Sequence, residues 1–205
     1  MLAQRGKRHL QSLHRHGRAG NSERRIGEIN TMGTIELTTK RLILRRYKET
    51  DASPLFLHFG CNAKMHEFSG WNPYATEEMA TETVTNFINS YNDNHFYGWA
   101  IEHENELVGT IGAYDYDAAS NSIEIGISIK ESCWGHGFAT EALICVLDYL
   151  TNDERINTVT AWCAAENTAS MRAMKKAGMK QIGIDVDALE VDGVQYDKLN
   201  YCYSV

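Results

Sequence analysis

The segment that decides the fold is residues 122–143, "SIEIGISIKESCWGHGFATEAL". Isoleucine occupies every second position of its first eight residues, a pattern typical of a strand with one buried face. Apolar side chains then recur at helical spacing from Ala139 to Leu150. Between strand and helix lie Gly135 and Gly137, where backbone N–H groups can approach a ligand closely and the helix dipole favours an anion. The segment therefore predicts a phosphate-binding loop, although a glycine-rich turn without a ligand fits the two glycines equally well.

Two common nucleotide-binding loops do not fit this segment. A P-loop needs Lys followed by Ser or Thr after its last glycine, but Phe138 and Ala139 stand there. A dinucleotide-binding loop needs a third glycine where this chain has Thr140. Its strand would also be apolar throughout, because parallel strands are usually buried on both faces. The bound phosphate is therefore expected to belong to another kind of cofactor.

The rest of the sequence predicts one domain of the α+β class. Strands and helices follow in the order β-α-α-β-β-β-α-β-α-β-β, and the three consecutive strands read as an antiparallel meander. Strands are predicted at 41–47, 95–102, 106–116, 122–129, 158–163, 180–191 and 194–205, and helices at 50–59, 72–91, 139–150 and 167–179.

Charge separates the first 31 residues from the remainder. Residues 1–31 contain seven Lys and Arg against two acids, a net charge of +5. Because the whole chain carries −7, residues 32–205 carry −12. The segment is expected to be a disordered leader or a non-native extension, with Met32 as the natural start. The acidic remainder is expected to repel nucleic acid and to attract amines and basic peptides.

The cysteines and the hydropathy of the sequence indicate where the protein is located in the cell. The five cysteines are scattered and form no CxxC pair, which favours a reducing cytoplasm and argues against a disulfide framework or a metal site. No apolar run approaches the roughly 20 residues that a membrane span needs. The expectation is a cytoplasmic protein without a membrane or metal partner.

Four motifs together resemble a known family. "WGHGFATEAL" resembles the acetyl-CoA loop of the GNAT acyltransferases, in particular the branch with the ribosomal-protein N-terminal (serine/alanine) acetyltransferases. "RLILRRYKETDA", "SIEIGISI" and "AENTASMRAMKKAGM" resemble the same branch in the same order, so the likeness covers residues 36–203. It implies the GNAT fold, a mostly antiparallel seven-stranded sheet flanked by four helices and splayed between strands 4 and 5.

The resemblance also implies acetyl-CoA as cosubstrate and a set of cofactor-binding residues. Main-chain groups of the predicted fourth strand would bind the pantetheine arm, and Asn167 would contact the same arm. Asn167 has the alternative role of a helix cap. The loop would hold the pyrophosphate through its backbone N–H groups. The strand residues are Ile127, Ser128 and Ile129, and the loop residues are Trp134, Gly135, His136, Gly137, Phe138, Ala139 and Thr140.

The implied reaction is direct attack of a primary amine on acetyl-CoA in a ternary complex, with no enzyme nucleophile. By resemblance, Ser170 would protonate the departing thiolate and Glu124 would deprotonate the amine. The plainer alternatives are a first-turn serine and a solvated strand carboxylate. His95, His136 and Cys163 are weaker candidates, and Cys163 reads as a core residue rather than an acyl carrier.

The acceptor is the variable part of this family. A weak base such as Glu124 suits a peptide α-amine, with a pKa of about 8, better than a lysine or polyamine amine near 10.4. The loop at 61–74 would supply acceptor contacts from Glu67, Trp71 and Tyr74, or would be a packed connection between helices. Two other functions stay open, a small-molecule amine acetyltransferase and a catalytically silent CoA sensor. A homodimer, common among relatives, is open as well.

Overall fold

A computed structural model describes residues 33–69 and 72–204, so the basic segment 1–31, Met32 and Trp71 lie outside the described residues. One eight-stranded sheet has the order β1-β2-β3-β4-β5-β6-β8-β7. Its strands are β1 Leu37–Thr38, β2 Ile43–Arg45, β3 Tyr97–His103, β4 Glu106–Asp117, β5 Ser122–Ile129, β6 Thr158–Ala164, β7 Lys180–Val191 and β8 Val194–Ser204.

In the described part of the chain, four α-helices flank the sheet, and π-helical turns extend two of them. They are α1 Ala52–Leu55, continued by Phe56–Gly60, α2 Glu77–Ser90, α3 Phe138–Asp148, continued by Tyr149–Asp153, and α4 Thr168–Lys176. The side chains of Thr76 and Asn167 accept hydrogen bonds from the first turns of α2 and α4, which confirms the predicted cap at Asn167. Asp51 precedes α1 but makes no side-chain cap; its carboxylate instead forms a buried ion pair with Arg45.

The predicted α+β class and the GNAT fold are confirmed, with one correction to the strand count. The additional strand is β1, which pairs with β2 through two residue pairs. Two residues are too few to show an alternating pattern, so the sequence contained no signal for this strand. The bounds of β5 and β7 agree with the prediction, because alternation defines the first and a "DG" turn closes the second.

Each face of the sheet has its own hydrophobic core. The larger core includes α3 and α4, and Trp99 on β3 is fully buried within it. The smaller core includes α1 and α2, and Ala100 contributes to it from the same strand. Because neighbouring residues of a strand point to opposite faces, Trp99 and Ala100 separate the two cores. Among the described residues, no helix combines the length and the apolar character that crossing a membrane requires.

The sheet is divided where β5 meets β6. These two strands are parallel and pair only from Ser122↔Thr158 to Glu124↔Thr160. On its other edge β5 pairs with β4 as far as Gly109↔Ile129. Within the described part of the chain, β5 beyond Glu124 therefore has one paired edge and one open edge. This split lies between the fourth and fifth predicted strands, as the fold prediction required.

Candidate active site at the split

Hydrogen-bond alternation shows which main-chain groups of β5 face the split. The Lys130 N–H donates to the Val108 carbonyl at 2.9 Å, so even-numbered residues of this stretch bond towards β4. The main-chain groups of Ile125, Ile127 and Ile129 then point to the open edge. Those of Ser128 point to β4, so the predicted main-chain contact of Ser128 with the pantetheine arm does not fit this register.

Two tryptophan indoles bracket this open edge. At its closed end, the Trp162 Nε1–H on β6 donates to Glu124 Oε1 on β5 at 2.9 Å, across the beginning of the split. At its other end, the Trp134 Nε1–H donates to the Ile129 carbonyl at 2.6 Å. The open edge of β5 is therefore about five residues long and is held at both ends by side-chain hydrogen bonds.

The glycine loop follows the open end of β5 and leads into α3. Gly135 and Gly137 have φ of +79° and +81°, a left-handed conformation that residues with a Cβ adopt only with strain. The first bond of α3 runs from the Glu141 N–H to the Gly137 carbonyl at 3.1 Å. The N–H groups of Phe138, Ala139 and Thr140 precede that bond, as in the first turn of any helix. A Cβ at Gly135 would meet no atom within 4 Å, so the loop presents open backbone that fits a diphosphate.

Side chains of the loop have separate roles from its backbone. Phe138 is buried, and its ring packs against His103 with centroids 4.7 Å apart. This packing anchors the first residue of α3 in the larger core. His136 is exposed, and its Nδ1 lies 3.0 Å from the Trp134 carbonyl. The sequence thus uses Phe138 to fix the helix start while Gly135 and Gly137 shape the loop.

Arg41 holds this loop from the turn between β1 and β2, and sequence reasoning missed it. Its Nη1 donates to the His136 carbonyl at 2.9 Å, and its Nε donates to Glu141 Oε2 at 2.7 Å. The guanidinium also lies 4.6 Å from the ring centre of Phe138. These contacts join residues about a hundred positions apart, so no local pattern could have indicated them. They place the guanidinium beside the predicted phosphate site, where the Glu141 carboxylate forms an ion pair with it.

Glu124 lies half-buried at the closed end of the split. Besides the Trp162 indole, the Tyr114 hydroxyl hydrogen-bonds this carboxylate, and burial followed by the nearby Glu124 charge raises the pKa of Tyr114. Both neighbours are therefore donors to Glu124 at neutral pH. Such a carboxylate keeps a fixed orientation, which a general base requires.

A cavity of about 400 Å³ adjoins Glu124. Among the described residues that line it, the charged side chains are Glu124 and Asp185, and Asp185 accepts a hydrogen bond from Asn200 Nδ2 at 2.9 Å. Thr160 and Trp162 line it from β6, and Ile182 and Tyr201 from the last two strands. Its lining is acidic and partly apolar, which suits a cationic group on an organic molecule.

Asn167 and Ser170 stand at the start of α4, directly after β6. Because β5 and β6 are parallel, their carboxyl ends, and the starts of α3 and α4 that follow, lie at one edge of the sheet. The Asn167 side chain accepts the Ser170 N–H at 3.0 Å, so its capping role is confirmed. Ser170 is half-buried. Contact of either side chain with a cofactor stays a prediction.

The predicted acceptor loop reaches the far end of the sheet. Phe68 packs edge-on against Tyr196 of β8, with ring centroids 5.8 Å apart. Glu67 is exposed, whereas Tyr74 is buried in the smaller core against Phe59. Glu67 therefore remains accessible to an acceptor, and Tyr74 is part of the packing below the loop. The prediction for Trp71 lies outside the described residues.

The acceptor loop is also joined to the turn before the glycine loop. Asn62 Nδ2 donates to Glu131 Oε2 at 2.8 Å, and Lys64 forms an ion pair with the same carboxylate. Glu131 begins the short 3-10 turn that ends one residue before Trp134. The loops predicted to hold the acceptor and the cofactor therefore share a carboxylate.

Cys163 is the remaining nucleophile candidate from the sequence. Burial raises the pKa of the Cys163 thiol to about 11, which keeps it protonated at neutral pH and a poor nucleophile. Cys163 is part of the larger core. In the part of the chain that the structure describes, no three His, Cys, Asp or Glu side chains are grouped to hold a metal ion.

The known proteins to which this chain is similar are acetyltransferases. The family described as acetyltransferase (GNAT) domain matches residues 41–180. YoaA of Bacillus subtilis, an uncharacterized N-acetyltransferase, is 31% identical over 144 residues, which are 69% of this chain and 81% of that protein. Two solved structures share the fold. A GNAT-family acetyltransferase from Bacillus anthracis has a TM-score of 0.72 at 23% identity, over 83% of this chain and 98% of its own. RimL, a ribosomal L7/L12 alpha-N-protein acetyltransferase solved with coenzyme A, has a TM-score of 0.76 at 19% identity over the same shares.

Proposed function

Because the chain belongs to the GNAT acetyltransferase family, and is thus an acetyl-CoA-dependent N-acetyltransferase, we propose that its acceptor is the α-amine of a peptide N-terminus. The observation that carries this proposal is the position of Glu124. Its carboxylate lies where the split closes, is oriented by the Trp162 indole, and borders an acidic cavity.

The chain's own backbone would hold the cosubstrate in two places. Amides from Gly135 to Thr140 would bind the pyrophosphate, and Arg41 would hold the loop in position through the His136 carbonyl. The open edge at Ile127 and Ile129 would bind the pantetheine arm as an added strand binds a sheet edge. The Ile129 carbonyl already accepts from Trp134, so its N–H is the more available of its two groups.

In the proposed transfer, the amine nitrogen forms a bond to the acetyl carbonyl carbon and the carbon–sulfur bond breaks. Glu124 accepts the proton that the amine loses, directly or through one water molecule. A β5 N–H on the open edge stabilises the oxyanion, because it faces the split without a strand partner. Ser170 supplies a proton to the departing thiolate and is restored from solvent.

The basicity of the acceptor favours an α-amine. A peptide α-amine with a pKa of about 8 is partly neutral at pH 7, whereas an amine near 10.4 is almost fully charged. A carboxylate is a weak base and suits the first kind better. RimL, which shares the fold, is described as an alpha-N-protein acetyltransferase, and this supports the same class of acceptor.

A small cationic amine is the second candidate, and the cavity lining favours it. Asp185 is held by Asn200 inside the cavity that Glu124 borders. A diamine or amino sugar with a second positive charge would match two carboxylates.

Release of free thiol from acetyl-CoA tests both candidates. The panel contains peptides with free Ser or Ala N-termini, the same peptides with blocked N-termini and one internal lysine, spermidine, and an amino sugar. We expect the free N-terminal peptides to give the highest kcat/KM. Higher values for spermidine or the amino sugar would replace the peptide proposal, and CoA binding without turnover of any amine would indicate a sensor.

A further inference from the structure

One buried hydroxyl in the larger core lacks a hydrogen-bond partner. Tyr201 on β8 is fully buried, and among the buried side-chain nitrogen and oxygen atoms of the described residues its hydroxyl alone has no partner. Placing a phenol hydroxyl in a protein interior without a partner is unfavourable, because its hydrogen bonds to water are lost. Such a group in a native fold therefore needs an explanation.

Two other tyrosines of the protein, the half-buried Tyr91 and the buried Tyr97, have partners for their hydroxyls. The Tyr91 hydroxyl donates to the Gly98 carbonyl at 2.9 Å and accepts the Tyr47 N–H at 2.8 Å. The Tyr97 hydroxyl donates to Glu154 Oε2 at 2.8 Å. The hydroxyls of these two tyrosines therefore have hydrogen-bond partners inside the protein, whereas the hydroxyl of Tyr201 has none.

Tyr201 lies beside the split. β8 is the neighbour of β6, and Tyr201 pairs with Ala161 on that strand. Both residues line the cavity that includes Glu124 and Trp162. Burial raises the pKa of the Tyr201 phenol, so the hydroxyl stays protonated and can donate. Ala161 follows Thr160, the last β6 residue that pairs with β5, so Tyr201 stands one strand away from the split, in the larger core that also contains Cys163.

We propose that the Tyr201 hydroxyl is a ligand-binding group that donates a hydrogen bond to a carbonyl oxygen of acetyl-CoA in the split. The inference rests on the cosubstrate site proposed above. Acetyl-CoA has two carbonyl oxygens near its thiol end that can accept this hydrogen bond, one in the last pantetheine amide and one in the acetyl thioester. Coenzyme A itself contains only the first of these, so the two sources can be separated by experiment.

The test is Tyr201→Phe, which removes the hydroxyl and keeps the ring. Thermal unfolding without ligand and calorimetric binding of CoA and acetyl-CoA are measured on the full chain. Because an unpaired hydroxyl is lost, the unliganded variant should be as stable as the wild type or more stable. Its Kd should rise by roughly five- to twentyfold, the usual effect of one lost hydrogen bond. A rise for both ligands assigns the pantetheine amide, and a rise for acetyl-CoA alone assigns the thioester.

Tyr91→Phe is the matched control, because its hydroxyl has two partners and lies away from the split. It should lower the unfolding temperature and leave both Kd values unchanged. The proposal is wrong if Tyr201→Phe also lowers the unfolding temperature and leaves both Kd values unchanged. That result would mean that the Tyr201 hydroxyl bonds a group of the protein and not the ligand. These readouts need no acceptor, so failure of the peptide proposal would leave CoA binding and this test intact.

Discussion

The two edges of β5 differ in what they do for the protein. One edge pairs with β4 from Glu124 to Ile129, and the other pairs with β6 only as far as Glu124. Even-numbered residues of this stretch turn their main-chain groups to β4, and odd-numbered residues turn theirs to the split. Main-chain groups alternate between the two edges, and the neighbouring strand decides whether they are used within the fold. We therefore expect changes at the open edge to affect catalysis and binding, and changes at the closed edge to affect stability.

The largest effect is expected for Glu124→Gln, at the point where the two edges begin to differ. Without the proposed base, kcat should fall by about 100- to 1,000-fold. Activity should then keep rising with pH towards the pKa of the amine, about 8 for a peptide, because only the neutral amine can react. Steady-state kinetics from pH 6 to 9 measure both effects. Glu190→Gln, an exposed carboxylate on β7, should leave them unchanged. An unaltered pH profile for Glu124→Gln would return this residue to a structural role.

Gly137→Val tests the loop beyond the open edge. A branched side chain at φ +81° is strained, and a Cβ there would lie 3.6 Å from Arg41 Nη2. We expect the Kd for CoA to rise by roughly 100-fold or more, because the backbone could no longer approach the diphosphate. The control is Gly193→Val, which has φ +79° and open space around it in the β7–β8 turn. Both variants carry similar strain, so equal losses of CoA affinity would contradict the loop assignment.

Substitution of Trp162 and of Trp134 tests the two ends of the open edge of β5 separately. Trp162→Phe removes the donor to Glu124 and should lower kcat about tenfold, since a hydrogen bond to a charged group is lost. Trp134→Phe removes the donor to the Ile129 carbonyl and should instead raise the Kd for CoA a fewfold. Kinetics and calorimetry on both variants separate the effects. If Trp162→Phe changed only binding, Trp162 would not position the base.

The smallest effect is expected on the closed edge, in Gly109→Ala. A Cβ at this position would lie 2.6 Å from Ile129 Cδ1 and 2.7 Å from the Ser128 carbonyl oxygen. Such overpacking should lower the free energy of unfolding by about 1–3 kcal/mol. Chemical denaturation measures it, with Gly183→Ala as control because its nearest neighbour is 4.0 Å away. A loss of CoA affinity with unchanged stability would reverse the roles assigned to the two edges.

Much of the fold was predictable because its signals are local. Alternation gave the bounds of β5, a cap at Asn167 defined the start of α4, and helical spacing located α3. The loop around Gly135 and Gly137 could be interpreted in the same way, since positive φ is the reason for glycine there. The split itself was expected from resemblance alone, because the sequence of a strand does not show whether its neighbour pairs with it.

The residues that sequence reasoning missed act across long separations. Arg41 reaches His136, Trp162 reaches Glu124, and Tyr201 is brought beside the same split by the order of the last strands. Tyr74 shows the opposite case, since its position in the loop suggested an acceptor contact and the structure buries it against Phe59.

By itself, the sequence determined most of the secondary structure, the glycine loop and the acidic character of the domain, because each depends on residues close together in the chain or on composition. Only the tertiary structure decided which strand edge stays open, which donors orient Glu124, and which hydroxyl is left unpaired. These depend on how distant segments meet, and the pairing of two strands is a property of neither strand alone.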